Sequence, residues 1–173
     1  MGCTVSLEFL RRNPFGAARV VLHNGPLRLT RADDFPHAMP ADQLAGYLDT
    51  MEQGWPGSER EFLAESILDT RDEGLLQLLL TVALQTPLDI ALKAVRNQAQ
   101  IDHRPAVRDL RIPVLAAYAD HDPYYPISLA EWIAASAARG TLAVLHASAH
   151  CAPLEEPETP AEIVSGFALR AAG

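Results

Sequence analysis

The sequence has few of the residues on which disulfide frameworks and zinc sites depend. Its 173 residues include two cysteines, Cys3 and Cys151, which lie far apart in the chain. Neither their number nor their spacing fits a zinc site or a network of disulfides, and a reducing cytoplasm is therefore the expected location. The N-terminus also lacks a basic segment followed by an apolar core, so no signal peptide is expected.

Long apolar runs and an excess of positive charge are absent as well. The longest apolar run, over residues 75–84, is interrupted by Gln77 and Thr81 and falls short of the roughly 18 apolar residues of a membrane helix. We therefore expect no membrane association. The 14 basic residues are outnumbered by 22 acidic residues, which gives a net charge of −8. Such a field repels polyanions, so no nucleic-acid partner is expected.

The sequence does contain enough apolar material for one core, since 49% of its residues are hydrophobic. No internal repeat is present. Residues 1–26 predict a helix that ends before Asn13 and then a buried strand at 18–22. Residues 107–173 predict, in order, a strand at 112–118, a helix at 127–138 closed by Gly140, a strand at 141–145 and a helix at about 159–171. This alternation of strands and helices predicts a parallel sheet.

The middle of the chain, residues 27–106, has almost no strand signal. Its pattern predicts four helices, at 41–53, 58–69, 73–84 and 88–99, with turns between them that include residues 70–72. Ser58 and Glu61 have the spacing of a capping box at the start of the second of these helices. A block of helices inserted between strands predicts a cap, or lid, over one edge of the sheet.

Polar clusters follow the second and third predicted strands. The first cluster is Asp120, His121 and Asp122, and the second contains His146 and His150. Because the carboxyl ends of parallel strands meet at one edge of a sheet, a carboxylate and an imidazole are expected to lie close together there. An aspartate that holds a histidine in one tautomer forms the acid and base of a nucleophilic triad.

Two other interpretations of these clusters remain open from the residues alone. Aspartate after a strand is an ordinary turn residue, and a histidine in a loop is often only a surface residue. A metal site could use His121, Asp122, His150 and Cys151, all of which are legitimate ligand types. Against the metal site, no fixed spacing between ligands recurs in the sequence.

The two clusters resemble motifs of the α/β-hydrolase family. Residues 107–115 resemble the entry into its penultimate core strand, and residues 119–122 resemble the G-x-x-D turn that supplies its catalytic acid. Residues 149–158 resemble its G-H-x-x-x-x-E-x-P-E segment. The resemblance implies that His150 is the catalytic histidine and that Asp122 is the acid, with Asp120 as the fallback. Alanine replaces the family's usual glycine at positions 119 and 149.

The start of the chain also resembles this family, at the point where the nucleophile would lie. Met1-Gly2 resemble the last two letters of the G-x-S-x-G elbow, which implies a nucleophilic serine just upstream of Met1. The backbone N–H of Met1 would then be an oxyanion-hole donor. Neither Cys3 nor Ser6 has the flanking pattern of an elbow. We therefore expect a fragment of a hydrolase that lacks its nucleophile and is inactive by itself.

Residues 24–26 and 33–36 resemble the segment after the elbow helix in two subgroups of the family. These are the cofactor-free non-haem haloperoxidase-type esterases and the pimeloyl carrier-protein methyl ester esterases. The resemblance implies a serine carboxylesterase that acts on a small-molecule ester without a cofactor. The alternative of an aspartate nucleophile, as in epoxide hydrolases and dehalogenases, remains open because the deciding residue is not in the chain.

The expected fold class is therefore α/β: an incomplete α/β-hydrolase fold with about three parallel core strands, flanking helices and an inserted helical cap. Residues 1–26 and 107–173 would form the core, and residues 27–106 the cap. In the cap, Trp55, Phe62 and Leu79 would line the substrate pocket, although ordinary packing between helices also explains them. The alternative function is a short non-catalytic protein that serves as a binding module or a homodimer.

Overall fold

The computed structural model describes residues 1–69 and 72–169 and contains one parallel sheet in that part of the chain. Its strands are β1 (Val20–His23), β2 (Val114–Ala119) and β3 (Gly140–Leu145), in the spatial order β1-β2-β3. The register pairs Val20 with Val114 and Val114 with Gly140. All six residues of β2 are buried, as a central parallel strand requires. The predicted α/β class with three parallel strands is confirmed.

The helices of the described residues lie on both faces of this sheet and in a block between β1 and β2. In chain order they are α1 (Gly2–Arg12), α2 (Ala41–Gly54), α3 (Gly57–Glu65), α4 (Glu73–Ala83), α5 (Leu88–Gln98), α6 (Arg104–Asp109), α7 (Ile127–Ser136), α8 (Ala152–Glu155) and α9 (Glu158–Leu169). On one face, Leu7 of α1 and Ile133 of α7 are buried in the main core with Leu22 of β1. On the other face, Phe167 of α9 packs against Leu115.

The helical block consists of α2 to α5, which pack on one another beside the sheet. The block has a small apolar core of its own, formed by Leu63 of α3, Leu76 of α4 and Ile67 from the segment between them. The four predicted helices in this region match α2 to α5 to within a few residues, except that α3 ends at Glu65. No single helix in the described ranges has the length and hydropathy that crossing a membrane requires; α4 and α5 meet that test only when taken as a pair, bent by 88°.

The segment between β1 and α2 packs in the main core, although it falls in the range 27–106 predicted as the cap. Leu27, Phe35 and Ala38 are all buried there, and the Phe35 ring meets the Trp132 ring edge-on with 5.4 Å between centroids. The chain then enters the helical block at Pro40. Because these side chains are buried in the main core, the separately packed helical block begins near α2 and not at Leu27.

Several local predictions differ from the structure. The capping box is wrong, because α3 begins one residue before Ser58, at Gly57, and its N-cap Pro56 makes no side-chain cap bond. Gly140 begins β3 and does not close α7, which ends at Ser136. Two short helices, α6 and α8, were not predicted. The predicted turn at 70–72 and the predicted end of the last helix at 171 fall partly or wholly outside the described residues.

Gly140 lies where a helix and a strand approach each other closely, and a side chain cannot fit. A Cβ at this position would be 2.1 Å from the Ala134 carbonyl oxygen and 2.8 Å from the Ala134 Cα. Both are backbone atoms, which cannot move aside without shifting α7. We expect Gly140→Ala to lower the free energy of unfolding by about 3 kcal/mol, measured from urea denaturation curves.

Gly46 provides the matched control for this substitution. It lies inside α2, and a Cβ there would meet nothing within 4 Å. Gly46→Ala is expected to raise the free energy of unfolding by about 0.5–1 kcal/mol, because alanine has the higher helix propensity. If the two variants unfolded at the same urea concentration, the close approach of Gly140 to the Ala134 backbone would be contradicted.

Candidate active site

Asp122 and His150 meet at the carboxyl edge of the sheet. Asp122 lies three residues beyond the end of β2, and His150 lies five residues beyond the end of β3. The Nδ1 atom of His150 is 2.8 Å from Oδ2 of Asp122. The structure therefore brings together the two residues that the sequence analysis selected as acid and base.

The Asp122 carboxylate is buried and held by the chain that follows it. Its side chain is 0% exposed, and Oδ1 accepts hydrogen bonds from the backbone N–H groups of Tyr124 at 2.8 Å and Tyr125 at 3.2 Å. These donors fix the carboxylate plane and leave Oδ2 for the imidazole. Neither tyrosine was predicted from the sequence. An aspartate that accepts from the N–H groups two and three residues later is a common turn pattern, and Asp122-Pro123 was its signal.

The second aspartate of the cluster, Asp120, points to a different histidine. Its Oδ2 is 2.6 Å from Nδ1 of His146, and its Oδ1 is 3.5 Å from Nε2 of His121. This pair lies at the surface, since the His146 side chain is 76% exposed. The hydrogen bond with His146 lowers the pKa of the Asp120 carboxyl. Among the described residues, a buried aspartate therefore holds His150, whereas Asp120 contacts two exposed histidines at the surface.

The His150 imidazole is placed to act as a base. Nδ1–H donates to Asp122, which assigns the unprotonated nitrogen to Nε2. Within the described part of the chain, the side-chain hydrogen bond of His150 is made through Nδ1, and none is made through Nε2. The ring packs beside two aromatic side chains, with its centroid 5.5 Å from that of Tyr124 and 5.7 Å from that of Tyr125. One nitrogen is therefore held by the acid, and the other is free to accept a proton.

The loop that carries His150 is held from both sides through its backbone. The Ser66 carbonyl oxygen, at the end of α3, accepts from His150 N at 3.0 Å and from Cys151 N at 3.3 Å. The Glu155 carboxylate accepts from Ala149 N at 3.0 Å and also from the backbone N–H of Leu68. These bonds attach the histidine loop directly to the helical block.

Aromatic rings continue from His150 into the helical block. The Phe62 ring stacks on Tyr124 with centroids 4.9 Å apart and planes 23° apart, and Tyr47 packs on Phe62 at 5.4 Å. The Tyr124 hydroxyl donates to the Phe62 carbonyl oxygen at 2.9 Å, and burial raises the pKa of Tyr124 to about 12. Of the predicted pocket residues, Phe62 therefore lies one ring away from the imidazole.

The other predicted pocket residues lie farther from the pair. Leu79 packs against the apolar core between α3 and α4, which Cys151 also contacts. Trp55 directly follows α2. Among the described residues, the rings that contact His150 are those of Tyr124 and Tyr125, and not that of Trp55. Phe62 and Met51 also line a cavity of about 160 Å³ within the helical block. A larger cavity of about 380 Å³ lies behind the histidine loop, beside Leu68 and Glu155, and neither Asp122 nor His150 lines it.

Neither thiol is placed as a nucleophile for His150. Cys3 is buried in α1, where its thiol donates to the His23 carbonyl oxygen at 3.4 Å and burial raises its pKa. Cys151 packs against the apolar core between α3 and α4, and burial raises its pKa to about 11. Met1, the predicted oxyanion-hole residue, directly precedes α1 and accepts from Val5 N at 3.3 Å. Within the described residues, no three His, Cys, Asp or Glu side chains form a group that could hold a metal ion.

The sequence and the fold are both similar to known hydrolases. A pimeloyl-[acyl-carrier protein] methyl ester esterase from Aromatoleum aromaticum is 28% identical over 173 residues, a match that covers 95% of this chain and 69% of that protein. No protein-family model matches the sequence. Many solved structures share the fold at lower sequence identity.

One of these structures is an esterase from Exiguobacterium antarcticum, with a TM-score of 0.88 and 18% identity; the match covers 94% of this chain and 62% of that one. Another is a bromoperoxidase from Bacillus anthracis, with a TM-score of 0.88 and 15% identity, covering 98% of this chain and 65% of that one. The chain thus spans less than two thirds of the length of both solved structures.

Proposed function

We propose that this chain, a member of the α/β-hydrolase superfamily, supplies the acid and the base for hydrolysis of a small-molecule carboxylic ester. The observation that carries the proposal is the bond between His150 and the buried carboxylate of Asp122, made at 2.8 Å at the carboxyl edge of the sheet. In open parallel sheets this edge is where ligands bind. No cofactor enters the proposed reaction.

The proposed chemistry is acyl transfer through a covalent intermediate. A serine hydroxyl attacks the ester carbonyl, and its proton passes to Nε2 of His150. His150 then gives this proton to the departing alcohol, which leaves an acyl-enzyme. Water, deprotonated by the same nitrogen, releases the acid and restores the serine. Throughout, Asp122 holds the imidazole in one tautomer and stabilises its positive charge.

We place the nucleophile outside the described residues, because Nε2 of His150 has no hydroxyl or thiol partner among them. The resemblance of Met1-Gly2 to the end of an elbow motif supports a serine immediately upstream of Met1, which itself precedes α1. A nucleophile there would use the N–H of Met1 as an oxyanion donor. The chain by itself would then lack activity.

The helical block supports the proposal by adding an apolar side to the site. The Tyr124 ring beside His150 is stacked on Phe62, and together with Tyr47 these rings offer a wall for the acyl or alcohol group. Trp55 and Leu79 remain proposed pocket residues. A cytoplasmic location also remains a proposal. The alternative function, a non-catalytic binding module or homodimer, is not favoured, because the relatives are esterases.

The test is the intact mass and the reactivity of the native polypeptide from its source cells. We expect a product longer than this 18.8 kDa chain by about 100 residues, roughly three more strand–helix units. It should hydrolyse a p-nitrophenyl ester and react with a fluorophosphonate at the residue directly before Met1. The 173-residue chain alone serves as the control and should show no burst of p-nitrophenol.

Two outcomes would contradict the proposal. A burst from the 173-residue chain that His150→Ala abolishes would place the nucleophile inside this chain. A native product of 18.8 kDa that neither hydrolyses esters nor takes the fluorophosphonate would favour the binding module instead.

A further inference from the structure

One buried amide, that of Asn24, lies at the junction of the three strand ends. Asn24 directly follows β1, is 4% exposed and has a φ of 37°. This left-handed conformation is uncommon outside glycine, and asparagine tolerates it better than most residues. The backbone therefore turns away from the sheet at this residue, and the side chain faces the end of β2.

The Asn24 amide uses both of its hydrogens and its oxygen. Oδ1 accepts from the backbone N–H of Ala119, the last residue of β2, at 2.9 Å. Nδ2 donates to the carbonyl oxygens of Ala149 and His150, each at 3.1 Å. Since one side of the amide meets a donor and the other meets two acceptors, its orientation is fixed by its partners.

The acid turn and the histidine loop have few other direct links. Asp120 N donates to the Leu145 carbonyl oxygen at 3.0 Å, and Asp120 pairs with the exposed His146. Both links lie near the strand ends. Beyond them, Asp122 and His150 stand on segments that have already left the sheet, so a small change in either segment alters the contact between their side chains.

We infer that Asn24 is a positioning residue, which sets the distance and orientation of His150 relative to Asp122 by binding the backbone of both segments. It touches neither reacting atom and acts only through these backbone groups. A catalytic contact must be held to within about 0.5 Å, and a satisfied buried amide supplies that precision. The inference rests on the proposed function only in that the pair it positions is the acid and the base.

Two substitutions separate this role from simple folding. Asn24→Gly permits the same φ and removes all three side-chain bonds. Asn24→Asp keeps an acceptor for Ala119 N but sets a carboxylate oxygen against two carbonyl oxygens. The matched control is Gln98→Ala, which removes a buried amide that donates to the Thr4 hydroxyl at 2.7 Å, in α5 and away from the strand ends.

The measurement is ¹H–¹⁵N NMR of the chain labelled at histidine, which reads the Nδ1–H proton of His150; His150→Gln assigns the signal. We expect a protected downfield resonance in the wild type and in Gln98→Ala. In both Asn24 variants its exchange with water should be faster by about tenfold or more, as expected for the loss of at least one buried hydrogen bond.

Two results would overturn the inference. One is an unchanged shift and exchange rate in a folded Asn24 variant. The other is loss of the fold in both Asn24 variants while Gln98→Ala remains folded, because Asn24 would then be a requirement of folding and not of the geometry of the pair. This readout needs no ester and no nucleophile, so its failure is distinguishable from failure of the proposed hydrolase activity.

Discussion

Replacing His150 by alanine in the polypeptide that carries the nucleophile should lower kcat for a p-nitrophenyl ester by about 10⁴–10⁶-fold. The physical reason is that Nε2 of His150 is the base in both halves of the proposed reaction, and its Nδ1 is already bound to Asp122. Asp122→Asn should lower kcat by about 10⁴-fold, because an amide can stabilise the wrong tautomer of the ring. Initial rates at saturating ester measure both effects.

The second Asp–His pair of the chain is the control for this prediction. Asp120→Asn and His146→Gln disrupt a pair with a similar contact distance, 2.6 Å, but at the surface. We expect kcat in both variants to stay near the wild-type value. If Asp120→Asn abolished turnover and Asp122→Asn did not, the assignment of the acid would have to be reversed.

Phe35→Ala should lower the free energy of unfolding by about 3–5 kcal/mol. The Phe35 side chain is 0% exposed; its ring meets the rings of His37 and Trp132 edge-on, and the Arg104 guanidinium lies 5.2 Å from its centroid. Removing it leaves a cavity in the main core, between the segment that follows β1 and α7. Urea denaturation followed by tryptophan fluorescence measures the change.

Phe15→Ala is the matched control, since Phe15 is 100% exposed. Its effect on the free energy of unfolding should be within about 0.5 kcal/mol of zero. If Phe35→Ala were equally mild, the segment between β1 and α2 would not belong to the main core, and the cap boundary predicted from the sequence at Leu27 would regain support.

Asp122 and His150 could be selected from the sequence because strand ends and loop motifs are local features of a sequence. The polar residues after β2 and β3 had to meet at one edge once the strands were parallel, and the motif resemblance chose Asp122 over Asp120. In the structure it is Asp122 that contacts His150, at 2.8 Å, and the backbone N–H groups of Tyr124 and Tyr125 hold its carboxylate. The catalytic roles of the pair remain predictions until activity is measured.

The contacts that hold the pair could not be predicted in the same way. The Ser66 carbonyl and the Asn24 amide are far from His150 in sequence and reach it only through tertiary packing. Neither carries a local pattern that reports its partner. Likewise, nothing in the hydrophobic spacing of residues 27–40 distinguishes burial against α7 from burial within the cap, and only the packed structure does so.

The helix boundaries failed for a different physical reason. Ser58 has capping-box spacing, but α3 begins at Gly57 and the Ser58 hydroxyl is buried without a partner in the described residues. At Gly140 the glycine is needed for a close approach to Ala134, whereas the sequence analysis interpreted it as a helix stop. Both errors arise because a residue that suits one local role can be required by tertiary contact for another.

The backbone bonds from Ser66 to the histidine loop bear on protein engineering. Caps of α/β enzymes are attractive modules to exchange when a new selectivity is wanted. Here the graft junction near the end of α3 also supplies the carbonyl that receives His150 N and Cys151 N, and the nearby Leu68 N–H is bound by Glu155. A chimaera joined upstream of residue 66 would keep this support, whereas one joined downstream would place a foreign segment at this contact and could shift the loop that carries the proposed base, His150.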